Sequence, residues 1–277
     1  MPSVMNSNTS IQRPFLKWLG NKYNCINHIL NALPKANRLI EPFAGSGAVF
    51  INTHYEHYVI AEENNDLITL FSYLQCEGQA FISLCETYFC ATNNKEDQYY
   101  RLREEFNHCT DARQRAALFV YLNRHGYNGL CRYNQQGVFN VPFGRYTRPS
   151  LPRKRMEFFH LKSQGIVFKK SDFQDTFALA EPGDLIYCDP PYAPINQSSN
   201  FSSYTAKGFG EQEQIILAEL AKQAAQRGIT VVISNHDTAF TRHHYHGSQI
   251  TSFPVKRFVS SNIEKRVPTQ ELLAVFR

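Results

Sequence analysis

The stretch "RLIEPFAGSGAVF", residues 38–50, is the part of the sequence from which the fold can first be predicted. Its apolar opening is β-prone, Gly45 and Gly47 follow, and its end is again apolar. This order predicts a strand, a glycine turn and a helix. A second β-prone run, "HYVIAEEN" at residues 57–64, follows soon after. The pair therefore predicts the opening of a βαβ unit, in which the two strands are parallel.

The alternation of strands and helices returns in the second half of the chain. A helix and three strands are predicted there, the helix over residues 211–228 and the strands within 165–173, 185–188 and 229–237. Between the two α/β pieces, residues 67–122 have helical periodicity, and "CRYNQQGVFN" at 131–140 predicts a β-hairpin. We therefore expect one α/β sheet built from residues 1–66 and 153–277, with an inserted domain of helices and a hairpin at 67–152.

Composition narrows the class of protein. The net charge of +5 and the pI of about 8.8 are a mild indication of a polyanionic partner. Seven cysteines without a C-x-x-C pair argue against a disulfide framework and against a zinc site. No apolar run approaches the roughly 20 residues of a membrane span, and the first residues lack the apolar core of a signal peptide. We expect a cytoplasmic protein that does not contact a membrane.

The glycine turn predicts a ligand site. Gly45 and Gly47 allow the backbone to approach a ligand closely. The turn lacks the third glycine of the dinucleotide fingerprint and the Gly-Lys-Ser/Thr of a P-loop, so an adenosyl ligand without phosphates fits better. Glu62 follows at about the 20-residue offset at which nucleotide-binding sheets place an acid for the ribose. The alternative is a tight turn followed by a solvated acid.

A second candidate site follows the predicted strand at residues 185–188. Asp189 comes directly after this strand, and open α/β sheets bind ligands at the carboxyl ends of their strands. Pro190 and Pro191 have no N–H, so this corner offers carbonyl and carboxylate oxygens without competing donors. With the flat ring of Tyr192, it suits a planar group that bears an NH₂. The alternative is a strand followed by a turn that the prolines stiffen.

Taken together, these motifs resemble the amino-directed DNA methyltransferases that use S-adenosylmethionine. "FAGSG" at 43–47 corresponds to F-x-G-x-G, and "DPPY" at 189–192 to the catalytic D-P-P-Y. The chain resembles the Dam family most closely, through "FLKWLGNK", "EPFAGSG", "YLNRHGYNGLCRYN", "NVPFGRY", "VVISNHDT" and the DPPY block. The match extends from about Phe15 to the C-terminus, in the motif order of the α group. The resemblance implies a Rossmann-like methyltransferase sheet, with residues 67–152 as an inserted target-recognition domain.

The resemblance also implies a reaction and its residues. The family transfers a methyl group from S-adenosylmethionine to N6 of adenine in duplex GATC sites by direct in-line transfer, after the base has rotated out of the helix. No metal is required. The catalytic residues would be Asp189, Pro190, Pro191 and Tyr192. The cofactor-binding residues would be Trp18, Lys22, Phe43, Gly45, Gly47, Glu62 and Asp189. The sequence departs from the family pattern at Asn21, where glycine is common, and at Glu62, where aspartate is common.

The inserted domain would recognise duplex DNA. Resemblance assigns Arg132 to the outer guanine, which arginine binds bidentately through O6 and N7, and Lys17 to the first base pair. It assigns apolar contacts near the thymine methyl to Leu130 and Pro142, and filling of the flipped-base gap to Tyr127 and Asn128. Phosphate contacts are expected, with a solvated charged surface as the alternative, for Arg145, Arg148, Arg153, Lys154 and Arg155. We expect a monomer in solution, encoded by a bacterium or a phage and associated with the nucleoid.

Three other functions compete with this interpretation. Cytosine-N4 methylation uses the same cofactor, but often has Ser in place of Asp189. An RNA or protein amide methyltransferase would not need the long arginine-bearing insertion. A catalytically silent DNA-binding module would not need intact DPPY and FAGSG motifs. The histidines at 243, 244 and 246 lack an acid or a cysteine at ligand spacing and are more typical of a surface turn than of a metal site.

Overall fold

The computed structural model describes residues 10–194, 209–255 and 269–277. Within these ranges one sheet has seven strands: β1 (Arg38–Glu41), β2 (His57–Glu62), β3 (Val167–Lys170), β4 (Leu185–Cys188), β5 (Thr230–His236), β6 (Gln249–Val255) and β7 (Thr269–Phe276). Their order across the sheet is β3-β2-β1-β4-β5-β7-β6. The first five strands are parallel, whereas β7 is antiparallel to both of its neighbours. The predicted α/β sheet in two parts is thus confirmed, and β6 and β7 were not predicted.

The described residues also form nine α-helices: α1 (Ile26–Ala32), α2 (Asn65–Glu77), α3 (Gln79–Thr87), α4 (Glu96–His108), α5 (Ala112–His125), α6 (Arg153–Lys162), α7 (Phe173–Ala178), α8 (Glu211–Gln226) and α9 (Ala239–His244). Helices α2 to α5 confirm the helical region that was predicted from the periodicity of residues 67–122. Their caps agree with the sequence: Asn64 accepts a hydrogen bond from the Leu67 N–H, and Asp111 accepts one from the Gln114 N–H.

The prediction of a helix directly after the glycine turn is wrong. The chain forms only a 3-10 turn there, Phe50–Asn52, before it enters β2. Thr53 ends this turn, because its hydroxyl donates to the carbonyls of Val49 and Phe50 while its backbone is already extended. The two strands are nevertheless parallel, as predicted, with Ile40 opposite Val59.

The buried strands place the ends of β1, β2, β4 and β5 along one edge of the sheet. Each face of the sheet is covered by its own apolar core cluster. Leu39, Ile60 and Tyr187 belong to the cluster that also contains residues of α2, α4, α5 and α6. Ile40 and Ile186 belong to the other cluster, under α7 and α8. The helices of the inserted region therefore share a core with one face of the sheet.

The hairpin at residues 131–140 is confirmed. The Asn140 N–H donates to the Arg132 carbonyl at 3.1 Å, and the Asn134 N–H donates to the Val138 carbonyl at 2.9 Å. Helix α2 anchors this hairpin, because the Tyr133 hydroxyl donates to the Asp66 carboxylate at 2.6 Å. The base of the hairpin is therefore fixed to the main body of the protein.

Phe159 on α6 lies at the centre of an aromatic cluster that joins the sheet to the helices. Its ring centroid is 4.7 Å from that of Phe71 and 5.1 Å from that of Phe15, and the residue is 2% exposed. We expect Phe159→Ala to lower the free energy of unfolding by about 3–5 kcal/mol, through lost burial and the cavity that remains. Urea titration followed by circular dichroism measures this loss. Leu161→Ala on the same helix is the control: Leu161 is 72% exposed, so its removal should change stability by less than about 0.5 kcal/mol. Equal losses in the two variants would contradict the prediction.

Candidate active site

The glycine turn after β1 is shaped by Trp18. Gly45 has a φ of +48°, and a Cβ added to it would lie 2.9 Å from Nε1 of Trp18. Gly47 has a φ of +74°, and a Cβ added there would lie 2.9 Å from the Phe50 ring. Both positions therefore need glycine, for backbone conformation and for space. Trp18 and the turn, two predicted parts of one site, are indeed in contact.

Glu62 lies at the end of β2, beside this turn. Its carboxylate accepts hydrogen bonds from the N–H groups of Gly45, at 3.1 Å, and Asn64, at 3.3 Å. Burial raises the pKa of Glu62, and the two backbone hydrogen bonds partly oppose that rise. Phe43 packs on Phe173 with ring centroids 5.6 Å apart. The turn therefore combines a carboxylate acceptor with apolar walls.

Asp189 follows β4 and is held by two partners. Its Oδ1 lies 2.8 Å from Nζ of Lys22 and accepts a hydrogen bond from the Ser234 hydroxyl at 3.1 Å. Burial raises the pKa of Asp189, while the positive charge of Lys22 acts in the opposite direction. Lys22 also donates to the Gly20 carbonyl at 2.8 Å. The carboxylate is therefore fixed in orientation by groups from both ends of the chain.

Tyr192 is held on three sides. Nζ of Lys22 lies 4.4 Å from the centroid of its ring, and the ring of His236 meets it edge-on at 4.8 Å. Its hydroxyl donates to the Glu271 carboxylate at 3.2 Å. Ser234 and Glu271 were not predicted as site residues. Ser234 lies on β5 within the quoted motif "VVISNHDT", whereas Glu271 lies on the unpredicted strand β7, outside every quoted motif.

The two prolines between Asp189 and Tyr192 differ in their hydrogen bonding. The Pro191 carbonyl accepts a hydrogen bond from Nε2 of Gln214 at 2.6 Å. The Pro190 carbonyl accepts none from any residue that the structure describes. The corner therefore retains one backbone acceptor next to the Asp189 carboxylate.

Glu41, at the end of β1, is a further acid near this corner. It is 2% exposed, and its Oε1 has no hydrogen-bond partner within the described ranges. Burial, followed by the nearby charge of Asp189, raises the pKa of Glu41 well above its usual range. Burial therefore disfavours the charged form of Glu41, whereas Lys22 favours the charged form of Asp189 and keeps the rise of its pKa smaller.

Asn123 joins the N-terminal segment to the insertion, the two regions that carry Lys17 and the predicted DNA contacts from Tyr127 to Arg148. Asn123 exchanges two hydrogen bonds with the backbone of Lys17 and donates a third to the Gly129 carbonyl. Nζ of Lys17 lies 3.9 Å from the centroid of the Tyr146 ring. Partial burial and the neighbouring Arg124 lower the pKa of Lys17. Asn123 was not predicted as a site residue, although it lies in a quoted motif.

The 3-10 turn Tyr127–Gly129 presents two of the predicted residues to solvent. Tyr127 is 51% exposed, and Asn128 adopts the left-handed conformation with a φ of 53°. The Tyr127 N–H donates to the Pro142 carbonyl at 2.8 Å, which brings a third predicted residue beside them. The turn is thus rigid in its backbone while its side chains are accessible.

Leu130 directly follows this turn, and its N–H donates to the Tyr127 carbonyl at 3.1 Å, whereas Arg132 and Arg145 lie farther along the chain. Arg132 is exposed on the hairpin, where its Nε donates to Oδ1 of Asn140 at 2.7 Å. Arg145 is exposed and pairs with Glu96 at 3.2 Å. Leu130 is partly buried against the core. Arg132 and Arg145 are thus both exposed, and an acceptor orients each of them, Asn140 for Arg132 and Glu96 for Arg145.

The described residues offer neither a metal site nor a membrane-spanning helix. Among them, no group of three or more His, Cys, Asp or Glu side chains is arranged to hold a metal ion. No helix in those ranges combines the length and apolarity needed to cross a membrane.

Comparison with known proteins agrees with this geometry. Residues 18–259 match the family described as D12 class N6 adenine-specific DNA methyltransferase. The chain is 46% identical over 266 residues to the DNA adenine methylase of Vibrio cholerae, which covers 96% of each protein. It is 46% identical over 267 residues to that of Haemophilus influenzae, covering 95% of this chain and 93% of the relative. The corresponding values for Escherichia coli K12 are 43% over 265 residues, 96% and 95%.

The chain therefore belongs to the family of D12 class N6 adenine-specific DNA methyltransferases. It is an enzyme that methylates adenine in DNA, and its sheet is the Rossmann-like sheet of the methyltransferases. The family membership predicted from the motifs is confirmed. The adenine-specific family excludes the cytosine-N4 alternative.

The charge of Asp189 provides a test of the site itself. Because Lys22 stabilises the ionised form of Asp189, Lys22→Met should raise the pKa of this carboxyl further above its usual range. Carboxyl-carbon NMR titration of both proteins measures the change. Lys162→Met is the control, because Lys162 is half-buried elsewhere and donates to the Thr53 carbonyl. An unchanged or lower pKa in Lys22→Met would show that the ion pair does not control this carboxylate.

Proposed function

We propose that the chain transfers the methyl group of S-adenosylmethionine to N6 of adenine in duplex GATC sites. The observation that carries this proposal is the pair of acceptors at the end of β4: the Asp189 carboxylate, oriented by Lys22, and the Pro190 carbonyl beside it. An adenine N6 amine has two N–H bonds to donate. Two neighbouring acceptors therefore suit the chemistry of the group that the family modifies.

The glycine turn fits the adenosyl part of the methyl donor. Glycine at positions 45 and 47 keeps the backbone open beside Trp18, and the Glu62 carboxylate has the chemistry to accept from ribose hydroxyls. Lys22 and Asp189 would lie toward the methionine part. When bound, S-adenosylmethionine supplies an electrophilic methyl group on a positively charged sulfur.

The amine is a poor nucleophile, because its lone pair is delocalised into the adenine ring. If Asp189 and the Pro190 carbonyl accept its two hydrogens, electron density shifts toward nitrogen, and the lone pair turns out of the ring plane. Tyr192 would stack on the base, with its ring fixed by Lys22 and Glu271. These groups orient the amine and stabilise the positive charge that it develops.

This chemistry requires Asp189 in its ionised form. Burial raises the pKa of Asp189, so protonation becomes significant at a higher pH than for a solvated aspartate. As the pH falls through that pKa, one acceptor is lost and the rate should fall. Lys22 acts in the opposite direction and extends the active range toward acid.

The target base must leave the duplex before it can reach this corner, at a cost of about a few kcal/mol. Tyr127 and Asn128 are exposed on a rigid turn and suit the role of filling the gap. Lys17, Leu130 and Pro142 would contact bases of the site, and Arg145 would exchange Glu96 for a phosphate.

We further propose residues 67–152 as the target-recognition domain, between the two parts of the catalytic domain at 1–66 and 153–277. The hairpin and the turn at 127–129, both within this region, support the division. We expect the enzyme to be a monomer in solution and to work in the bacterial cytoplasm at the nucleoid, encoded by the bacterium or by a phage.

The activity is tested with plasmid DNA that lacks adenine methylation. After incubation with the protein and S-adenosylmethionine, the plasmid should resist a nuclease that cuts only unmethylated GATC and become sensitive to one that cuts only the methylated site. Asp189→Ala should leave both digestion patterns unchanged while it still binds DNA. Unaltered digestion after wild-type treatment would contradict the proposal and leave the silent DNA-binding module as the alternative.

Glu62 provides a test of the cofactor turn. We expect Glu62→Ala to weaken S-adenosylmethionine binding by about 10- to 100-fold, because hydrogen bonds to a charged group contribute about 1.5–3 kcal/mol. Isothermal titration calorimetry measures the affinity. Glu63→Ala, at the exposed neighbouring position, is the control and should bind like the wild type. Unchanged affinity in Glu62→Ala would remove the ribose assignment.

Arg132 provides a test of sequence recognition. Arg132→Ala should cost about 1–3 kcal/mol at GATC and remove discrimination at the outer guanine, because a bidentate pair is lost. The measurement compares kcat/KM on GATC duplexes with that on duplexes changed only at this base, at one salt concentration. Discrimination at the first base pair, assigned to Lys17, should persist.

Arg148→Ala is the matched control, since a lost phosphate contact weakens all sequences alike and reduces the salt dependence. If Arg132→Ala behaved in the same uniform way, Arg132 would be assigned to the DNA backbone.

A further inference from the structure

A chain of buried hydrogen bonds connects β5 and α8 to the loop that follows Asp189. Its centre is Asn235, fully buried near the end of β5 within the motif "SNHD". Oδ1 of Asn235 accepts from the Ala193 N–H at 3.1 Å. Its Nδ2 donates to Oε1 of Gln214 at 3.0 Å and to the Tyr245 hydroxyl at 2.9 Å. Ser234 of this motif holds Asp189, whereas Asn235, Gln214 and Tyr245 have no role in the reaction described above.

Gln214 on α8 extends the chain to the prolines. It is 1% exposed, and its Nε2 donates to the Pro191 carbonyl at 2.6 Å. This network admits only one orientation of each amide. Since the Pro191 carbonyl needs a donor, Oε1 of Gln214 must face Asn235, and Oδ1 of Asn235 must then face the Ala193 N–H. Reversing Gln214 would leave the Pro191 carbonyl without its donor, and reversing Asn235 would leave the N–H groups of Ala193 and His236 without their acceptor.

The network fixes the part of the loop that the prolines leave free. Each proline ring restricts φ, so the direction of the Pro190 carbonyl depends mainly on the remaining backbone torsions. On one side, Lys22 and Ser234 hold Asp189. On the other side, Gln214 and Asn235 hold the Pro191 carbonyl and the Ala193 N–H. The peptide that carries the Pro190 carbonyl is thus held at both ends.

We propose that Gln214 and Asn235 are positioning residues for methyl transfer, which set the direction of the Pro190 carbonyl toward the adenine amine. The proposal rests on the function proposed above, in which this carbonyl accepts one of the two hydrogens. Neither side chain touches the base or the methyl donor. Their effect on rate is indirect and acts on the geometry of the acceptor.

The test is Gln214→Met, which preserves length and apolar packing but cannot donate to the Pro191 carbonyl. The single-turnover rate of methyl transfer, with enzyme saturated by S-adenosylmethionine and GATC duplex, should fall by about 10- to 100-fold, because small misplacements of reacting groups are costly. The dissociation constants for cofactor and for duplex should stay at their wild-type values. A loss confined to the transfer step separates positioning from general damage to the fold.

Two variants complete the experiment. Gln212→Met, on the same helix at an exposed position, is the matched control and should keep the wild-type rate. Tyr245→Phe removes only the hydroxyl at the outer end of the network, so it tests the idea even if Gln214→Met folds poorly, and it should cause a smaller loss. Because both changes act through Asn235, the double variant should lose less than the product of the two single losses.

A transfer rate within about twofold of the wild type in folded Gln214→Met would overturn the proposal, as would a parallel weakening of cofactor and DNA binding. Wild-type protein that forms no N6-methyladenine would instead overturn the proposed function, and the inference with it.

Discussion

The ion pair between Lys22 and Asp189, at 2.8 Å, is the interaction on which the rest of the site depends. A carboxylate at the end of a buried strand loses its hydration, and without a partner it would take up a proton. Lys22 keeps it charged and also lies on the Tyr192 ring. For the nearby Glu41, burial and then the charge of Asp189 raise the pKa well above its usual range. The ion pair with Lys22 thus favours the charged form of Asp189 over that of Glu41.

The same constraint explains the position of the N-terminal segment. Lys22 reaches Asp189 only if the residues before β1 fold over the carboxyl edge of the sheet. Within that segment Trp18 packs on the glycine turn, and Lys17 is bound through its backbone to Asn123 of the insertion. Three neighbouring residues of the chain therefore join the cofactor turn, the recognition region and the catalytic corner in one rigid unit.

Local patterns predicted residues that the structure brings together around the glycine turn and Asp189, and long-range contacts account for the neighbours that were missed. Consecutive residues form the turn at Gly45 and Gly47, and likewise the corner at Asp189. Their chemistry could therefore be predicted from the sequence. The prediction of a helix after the glycine turn was wrong, because the Thr53 hydroxyl competes for the backbone carbonyls of Val49 and Phe50. Glu271 was missed because it reaches Tyr192 from a strand 79 residues away, through antiparallel pairing that no motif signals.

The different solvent exposure of the two charged regions has a consequence for ionic strength. Lys22 is buried, whereas Arg132 and Arg145 are exposed. Mobile ions screen exposed charges beyond roughly 8 Å at physiological concentration but hardly affect a pair from which water is excluded. Added salt should therefore release the enzyme from DNA long before it disturbs the catalytic corner. Salt concentration should thus control how long the protein stays bound to DNA, whereas the rate of each methyl transfer should depend on the buried groups around Asp189.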